Sequence, residues 1–174
     1  MKTRLGPWAL GLGVLACFPT TTRPAFLPLP AASTFEIELQ VPQATRAVAL
    51  ALNTDSIPVR RTEAKDGWLE TDWFDAKTLK ATGQRRLGPD VVKVRAFVDP
   101  SRPNHSNITI EVVYRPLADP SRPERELEQQ VPLDHPVFGK IVLLTTQLVK
   151  QYGAPPDSVI AAPVPAPKVR KPGG

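Results

Sequence analysis

The chain has 174 residues, a formal net charge of +5 and a single cysteine, a length that suits one domain with extensions. Between Phe35 and Gly153 the 16 Lys and Arg are matched by 16 Asp and Glu, so the positive surplus sits at the two ends. A neutral middle lacks the electrostatic footprint of phosphate binding, which argues against nucleic acid as a partner. The 21 prolines also gather toward the ends.

Lys2 and Arg4 form a positive start, followed by the apolar run Leu5 to Ala16. That run is shorter than the ~20 residues a bilayer span needs, and it fits the hydrophobic part of a secretory signal. It ends in Val14-Leu15-Ala16-Cys17, which resembles the bacterial lipobox. The resemblance implies cleavage before Cys17, diacylglycerol on its sulfur and acylation of the new amine. Residues 1–16 are then a lipoprotein signal peptide, and Cys17 ties the chain to a membrane. By analogy with lipoprotein sorting, Phe18 after the cysteine favours the outer membrane, with the domain on its periplasmic face. Residues 17–34 carry four prolines and no periodicity and read as an extended tether. Phe26, Leu27 and Leu29 are apolar enough to dock on a partner, but a plain spacer is the favoured account.

Phe35, Ile37, Leu39 and Val41 alternate with polar residues, so a half-buried strand is expected up to Pro42. Ala44, Val48, Ala51 and Leu52 follow at helical spacing and predict a short helix. Residues 57–62 and 68–74 flank a turn ending in Asp66-Gly67 and predict a hairpin. On its return strand Leu69, Thr71 and Trp73 form the face without carboxylates, so Trp73 is expected in the core and Trp68 as a cross-strand cover. Between Asp75 and Asp90, Lys77, Lys80, Arg85 and Arg86 occur without an intervening acid. This stretch is a candidate contact for lipid headgroups or an acidic partner, but the favoured reading is a solvated loop, since charge runs usually just face water.

Residues 91–98 and 107–114 predict two further strands, with Val92, Val94, Ala96 and Val98 on one face and Ile108, Ile110, Val112 and Tyr114 on another. Asp-Pro-Ser-Arg-Pro occurs at 99–103 and again at 119–123, where proline, Asp and Ser supply turn chemistry at opposite ends of a meander. Residues 124–132 read as a frayed edge strand or a lead-in to the last helix. From Asp134 to Gly153, Val137, Ile141, Leu144, Leu148 and Tyr152 mark one apolar helical face. Asp134 is the expected N-cap, Pro136 suits the first turn, and Gly153 suits the left-handed position after the last. Residues 154–174 hold six prolines and read as a disordered tail.

Chemistry-bearing patterns are sparse. His105 and His135 share no metal-ligand spacing, and no nucleophile elbow, phosphate loop or zinc-protease helix occurs. No catalytic residue, metal or cofactor is expected, and an enzyme is disfavoured.

The expected order of strand, helix, hairpin, further antiparallel strands and long last helix is that of helix-grip folds. The piece Gly67-Trp-Leu-Glu-Thr-Asp-Trp73 resembles the matching segment of BamC-type outer-membrane lipoproteins, as do the strand–helix opening over 35–52 and the lipobox. The resemblance implies an α+β domain over 35–153, with an antiparallel sheet of about five strands wrapped around a long C-terminal helix. It also implies a non-enzymatic accessory or scaffold role in outer-membrane protein assembly, with a protein partner in the envelope. The chain departs from the family in having one such domain and a short tether. A binding module for a lipid or other apolar ligand, held between helix and sheet, is the alternative.

Overall fold

The computed structural model describes residues 21–25, 29–83 and 87–153. The expected signal peptide over 1–16, Cys17 and the proline-rich stretch over 154–174, expected to be a disordered tail, lie outside them. The described chain is α+β: an open antiparallel sheet of seven strands with three helices. In order these are β1 (Ser33–Ile37), α1 (Val41–Thr54), β2 (Val59–Glu63), β3 (Trp68–Thr71), β4 (Phe74–Asp75), β5 (Val91–Pro100), β6 (Ser106–Tyr114), α2 (Glu124–Leu127), β7 (Gln129–Gln130) and α3 (Pro136–Tyr152).

The hairpin β5–β6 is the spine, since its strands pair over nine residues from Val92↔Tyr114 to Pro100↔Ser106. On one side β5 pairs with β3 and β4, and β2 lies beyond β3. On the other side β6 pairs with β1 near Ile110 and Ile108, and with β7 near Val113. The alternation expected on β5 and β6 is present: Val92, Val94, Ala96, Val98, Ile108, Ile110 and Val112 enter one core. Val137, Ile141, Leu144 and Leu148 of α3 and Ala44, Val48 and Leu52 of α1 fill it from the other side. Here α3 lies over β1 and β6, α1 lies over β5 and β2, and the two helices touch.

Seven strands replace the expected five for two reasons. Residues 124–132 form both α2 and β7. The predicted strand 68–74 also breaks in two around a bulge. Glu70 pairs with Arg95 but Phe74 pairs with Val92, so four steps on one strand oppose three on the other. One extra residue reverses which side chains face inward. Thr71 makes the break tolerable, because its hydroxyl accepts the Val94 N–H at 2.9 Å and donates to the Asp72 carbonyl at 2.8 Å. The consequence corrects the expected face: Leu69 and Phe74 enter the core, while Trp73 lies on the opposite side of the sheet with Val91 and Val113.

Two boundaries also differ. The first strand ends at Ile37, and Pro42 opens α1 within its first turn instead of merely closing the strand. Beyond Ile37 the strand has no neighbour to follow, since the Glu38 N–H donates to the Tyr152 carbonyl at 3.2 Å and the Leu39 carbonyl accepts from the Ser106 hydroxyl. The N-cap of α3 is His135, not Asp134. Its Nδ1 accepts the Val137 N–H at 3.3 Å while Nε2 donates to the Pro89 carbonyl at 3.0 Å, so one ring both caps the helix and ties it to the approach to β5. At the other end Gly153 takes the expected left-handed conformation, φ 74°, and its N–H donates to Val149.

Candidate functional site

The start of the basic stretch, residues 76–80 directly after β4, is a tight turn. The Asp75 carboxylate accepts the N–H groups of Lys77 and Thr78 and the Thr78 hydroxyl, and the Asp75 N–H donates to the Lys80 carbonyl. Lys77 and Lys80 are therefore close along the backbone and both exposed. The Lys77 ammonium lies 3.7 Å from Asp90, with its side chain 79% exposed. A surface hollow of about 300 Å³ beside it is lined by Asp75, Lys77, Leu87, Asp90 and Val91, and its two carboxylates do not suit an anion. Arg85 and Arg86 lie outside the described residues.

The larger concentration of charge lies elsewhere, on the face of the sheet away from α1 and α3. Lys93, Arg95 and Glu111 occupy outward positions on β5 and β6, yet all are buried. Arg95 pairs with Glu128 just after α2, the two side chains being 6% and 4% exposed. Glu111, opposite Arg95 in the ladder, accepts the Leu29 N–H at 3.2 Å. Burial pushes its carboxyl above the ordinary range, against the pull of that hydrogen bond and of Arg95. Burial also lowers the Lys93 ammonium, helped by the nearby charge of Arg95.

Trp73, delivered here by the bulge, lies between two cations. The Lys93 ammonium is 4.7 Å and the Arg115 guanidinium 4.6 Å from its ring. Its indole N–H donates to Glu124 at 2.8 Å, and Glu124 also faces Arg115 at 3.2 Å. Two segments cover this layer. From the C-terminal side comes the connection from β6 through α2. From the N-terminal side comes part of the stretch expected to be a plain spacer. Thr22 bonds Asp66 through its N–H at 2.8 Å and its hydroxyl at 2.6 Å, and accepts the Trp68 indole N–H at 3.4 Å. Arg23 pairs with Asp99 at 2.8 Å, bonds the Val98 carbonyl and lies 5.5 Å from the Phe97 ring. Arg125 donates to the Ala25 carbonyl at 2.7 Å, and the Ala31 N–H donates to Gln130 at 3.0 Å. Phe26 and Leu27 lie outside the described residues.

Chemically this layer clamps segments together. A hollow of about 240 Å³, lined by Ala25, Leu29, Arg95, Glu111, Val113, Arg125 and Glu128, has its charges committed to one another or to backbone. Among the described residues no group of three His, Cys, Asp or Glu is arranged to hold a metal ion, and no helix is long and apolar enough to cross a membrane. Alternation alone assigns Lys93, Arg95 and Glu111 to solvent. The readable hint was Val91, Phe97 and Val113 on the same outward face, three apolar side chains where an uncovered sheet would carry none.

Compared with models of known protein families and with curated proteins, the chain matches none.

Proposed function

We propose that this chain is a lipid-anchored periplasmic protein of the outer membrane, a non-enzymatic accessory or scaffold in the assembly of envelope proteins. The observation that carries the reading is Val14-Leu15-Ala16-Cys17 at the end of a charged-then-apolar leader, with Cys17 the sole cysteine of the chain. Two or more acyl chains at that position give stable anchoring where one gives marginal binding. A helix-grip domain of BamC type is the finer fold assignment, and α3 lying over β1 and β6 supports it. The scaffold reading is favoured over an apolar-ligand module because the space between helices and sheet is occupied by Phe35, Ile37, Leu52, Phe74, Ile141 and Leu144, each at most 1% exposed.

Metabolic labelling with a palmitate analogue tests the anchor. Label on the wild-type chain and none on Cys17→Ser is the expected result; equal label on both removes it. Crosslinking in cells followed by affinity purification tests the role, and recovery of no envelope-assembly protein counts against it.

A further inference from the structure

The two long helices differ in composition from the rest of the domain. α1 and α3 hold 14 and 17 residues and not one carboxylate. Three of the 16 basic residues between Phe35 and Gly153 lie on them, Arg46, Lys140 and Lys150, whereas the 16 acidic ones all lie elsewhere. The three cations are exposed, and among the described residues none of them forms an ion pair. Two large apolar side chains stand out of the same layer, Leu50 on α1 and Leu143 on α3, each 67% exposed. Helical spacing gathers these groups into one patch. Arg46 precedes Leu50 by four residues and Lys140 precedes Leu143 by three, so each leucine has a cation one turn away on its own helix. Leu50 and Gln147 line one hollow between the helices, and Gln147 is one turn from both Leu143 and Lys150. The flanking carboxylates lie past the helix ends: Asp55 at the rim of that hollow, Glu38 against Gly153, and Asp134 before α3.

The charge of the patch selects its occupant. The hollow holds about 160 Å³, well under the ~300 Å³ at which small-molecule sites begin. A second copy of the chain would bring the same three cations and no counter-charge. An anionic bilayer supplies both halves of the match, because its acyl boundary yields to protruding leucines while its phosphates meet the cations. Lys77, the other candidate for lipid headgroups, shares its hollow with Asp75 and Asp90. We propose that the outer face of α1 and α3 docks on an anionic phospholipid bilayer, with Leu50 and Leu143 entering the headgroup–acyl boundary and Arg46, Lys140 and Lys150 meeting lipid phosphates. The proposal does not depend on acylation of Cys17. A domain docked in this way turns the opposite side of the sheet, covered by α2 through Glu124 and Glu128, toward the aqueous phase.

The test uses the full chain with Cys17→Ser, which cannot be acylated there and leaves no competing thiol. A polarity-sensitive dye is placed on Gln147→Cys, in the patch, or on Ser121→Cys, in the exposed turn before α2. With vesicles of phosphatidylethanolamine and phosphatidylglycerol, the emission is expected to shift to the blue at position 147 and to stay unchanged at 121. An equal shift at both positions, or none at 147, overturns the docking face. Replacing Arg46, Lys140 and Lys150 together by glutamine is expected to raise the lipid concentration at half-shift about 100-fold, about fivefold for each cation. Exchanging phosphatidylglycerol for phosphatidylcholine should do the same to the wild-type helices. An unchanged midpoint in either case overturns the part given to lipid charge. Leu50→Ser with Leu143→Ser is expected to weaken docking at least about tenfold, and an unchanged midpoint overturns insertion of the leucines. All five side chains are exposed, and unchanged circular dichroism checks that the variants keep the fold. A shift at 147 that grows with protein concentration in the absence of vesicles assigns the patch to a second copy and overturns the bilayer.

Discussion

Replacing Gly67 by alanine puts a methyl group where the backbone leaves no room for one. Gly67 closes the β2–β3 turn at φ 67°, and its carbonyl accepts the Val98 N–H at 2.7 Å. An added Cβ lies 2.2 Å from the Val98 carbonyl oxygen and 2.9 Å from a methyl of Val41. The left-handed conformation alone costs a residue with a side chain about 1–2 kcal/mol. Relief of the clash requires β5 or the turn to move, with an overpacking cost of about 1–3 kcal/mol. The shift also stretches the hydrogen bond to Val98, a further ~1 kcal/mol. A loss of about 3–6 kcal/mol is expected, a large part of the 5–15 kcal/mol typical of a domain. Urea unfolding of wild type, Gly67→Ala and Gly139→Ala measures it. Gly139 lies in α3 with nothing within 4 Å of its added Cβ, so alanine there is expected to stabilise by about 0.5–1 kcal/mol. A loss at Gly67 below about 1 kcal/mol, the centre of the distribution for any substitution, refutes the close approach of the turn to β5.

The cap of α3 gives a paired comparison: His135→Ala is expected to cost about 1 kcal/mol and Asp134→Ala less than about 0.5 kcal/mol, read from urea midpoints. Glu36 is held at a pKa of about 2, chiefly by its hydrogen bonds with Arg102 and then Ser101. A carboxylate lowered on folding contributes stability that is present above its ordinary value of 4.5 and is lost as pH falls toward 2. Arg102→Gln should move the Glu36 titration back toward 4.5 by NMR and weaken that acid-side dependence; an unmoved titration refutes the assignment. Glu111 has the opposite sign. Its raised pKa means the folded state holds the proton longer, so its contribution falls as pH rises from the ordinary carboxylate value through the raised one. Glu111→Gln keeps an acceptor for Leu29 and should remove that decline from the pH–stability profile, and an unchanged profile refutes it.

Elements with a strong local signal were readable. The apolar face of α3, its left-handed Gly153, the Asp66-Gly67 turn and the inward faces of β5 and β6 follow from periods and turn geometry that the backbone imposes on any sequence. The two copies of Asp-Pro-Ser-Arg-Pro show where this ends. In the second, Asp119 accepts from the N–H and hydroxyl of Ser121 as a local turn. In the first, Asp99 belongs to β5 and pairs with Arg23, while Ser101 and Arg102 reach Glu36. Identical residues do different work because their partners differ. The candidate site divides in the same way: Lys77 and Lys80 were visible as a basic run, whereas the clamp around Trp73, Arg95 and Glu111 was not.

Read along the chain, residue order determined the inward-facing stripes, the helix stop and the lipobox-like leader, because each depends on neighbours within a few positions. The tertiary structure decided which side of the sheet receives Trp73, how Lys93, Arg95 and Glu111 come to be buried, and where the N-terminal stretch lies. The bulge at Asp72 and Trp73 is defined only against β5, and the cover over the outward face joins residues 76 and 100 positions apart. Periodicity reports whether a strand has an apolar face; it carries no record of what a distant segment lays across the other one.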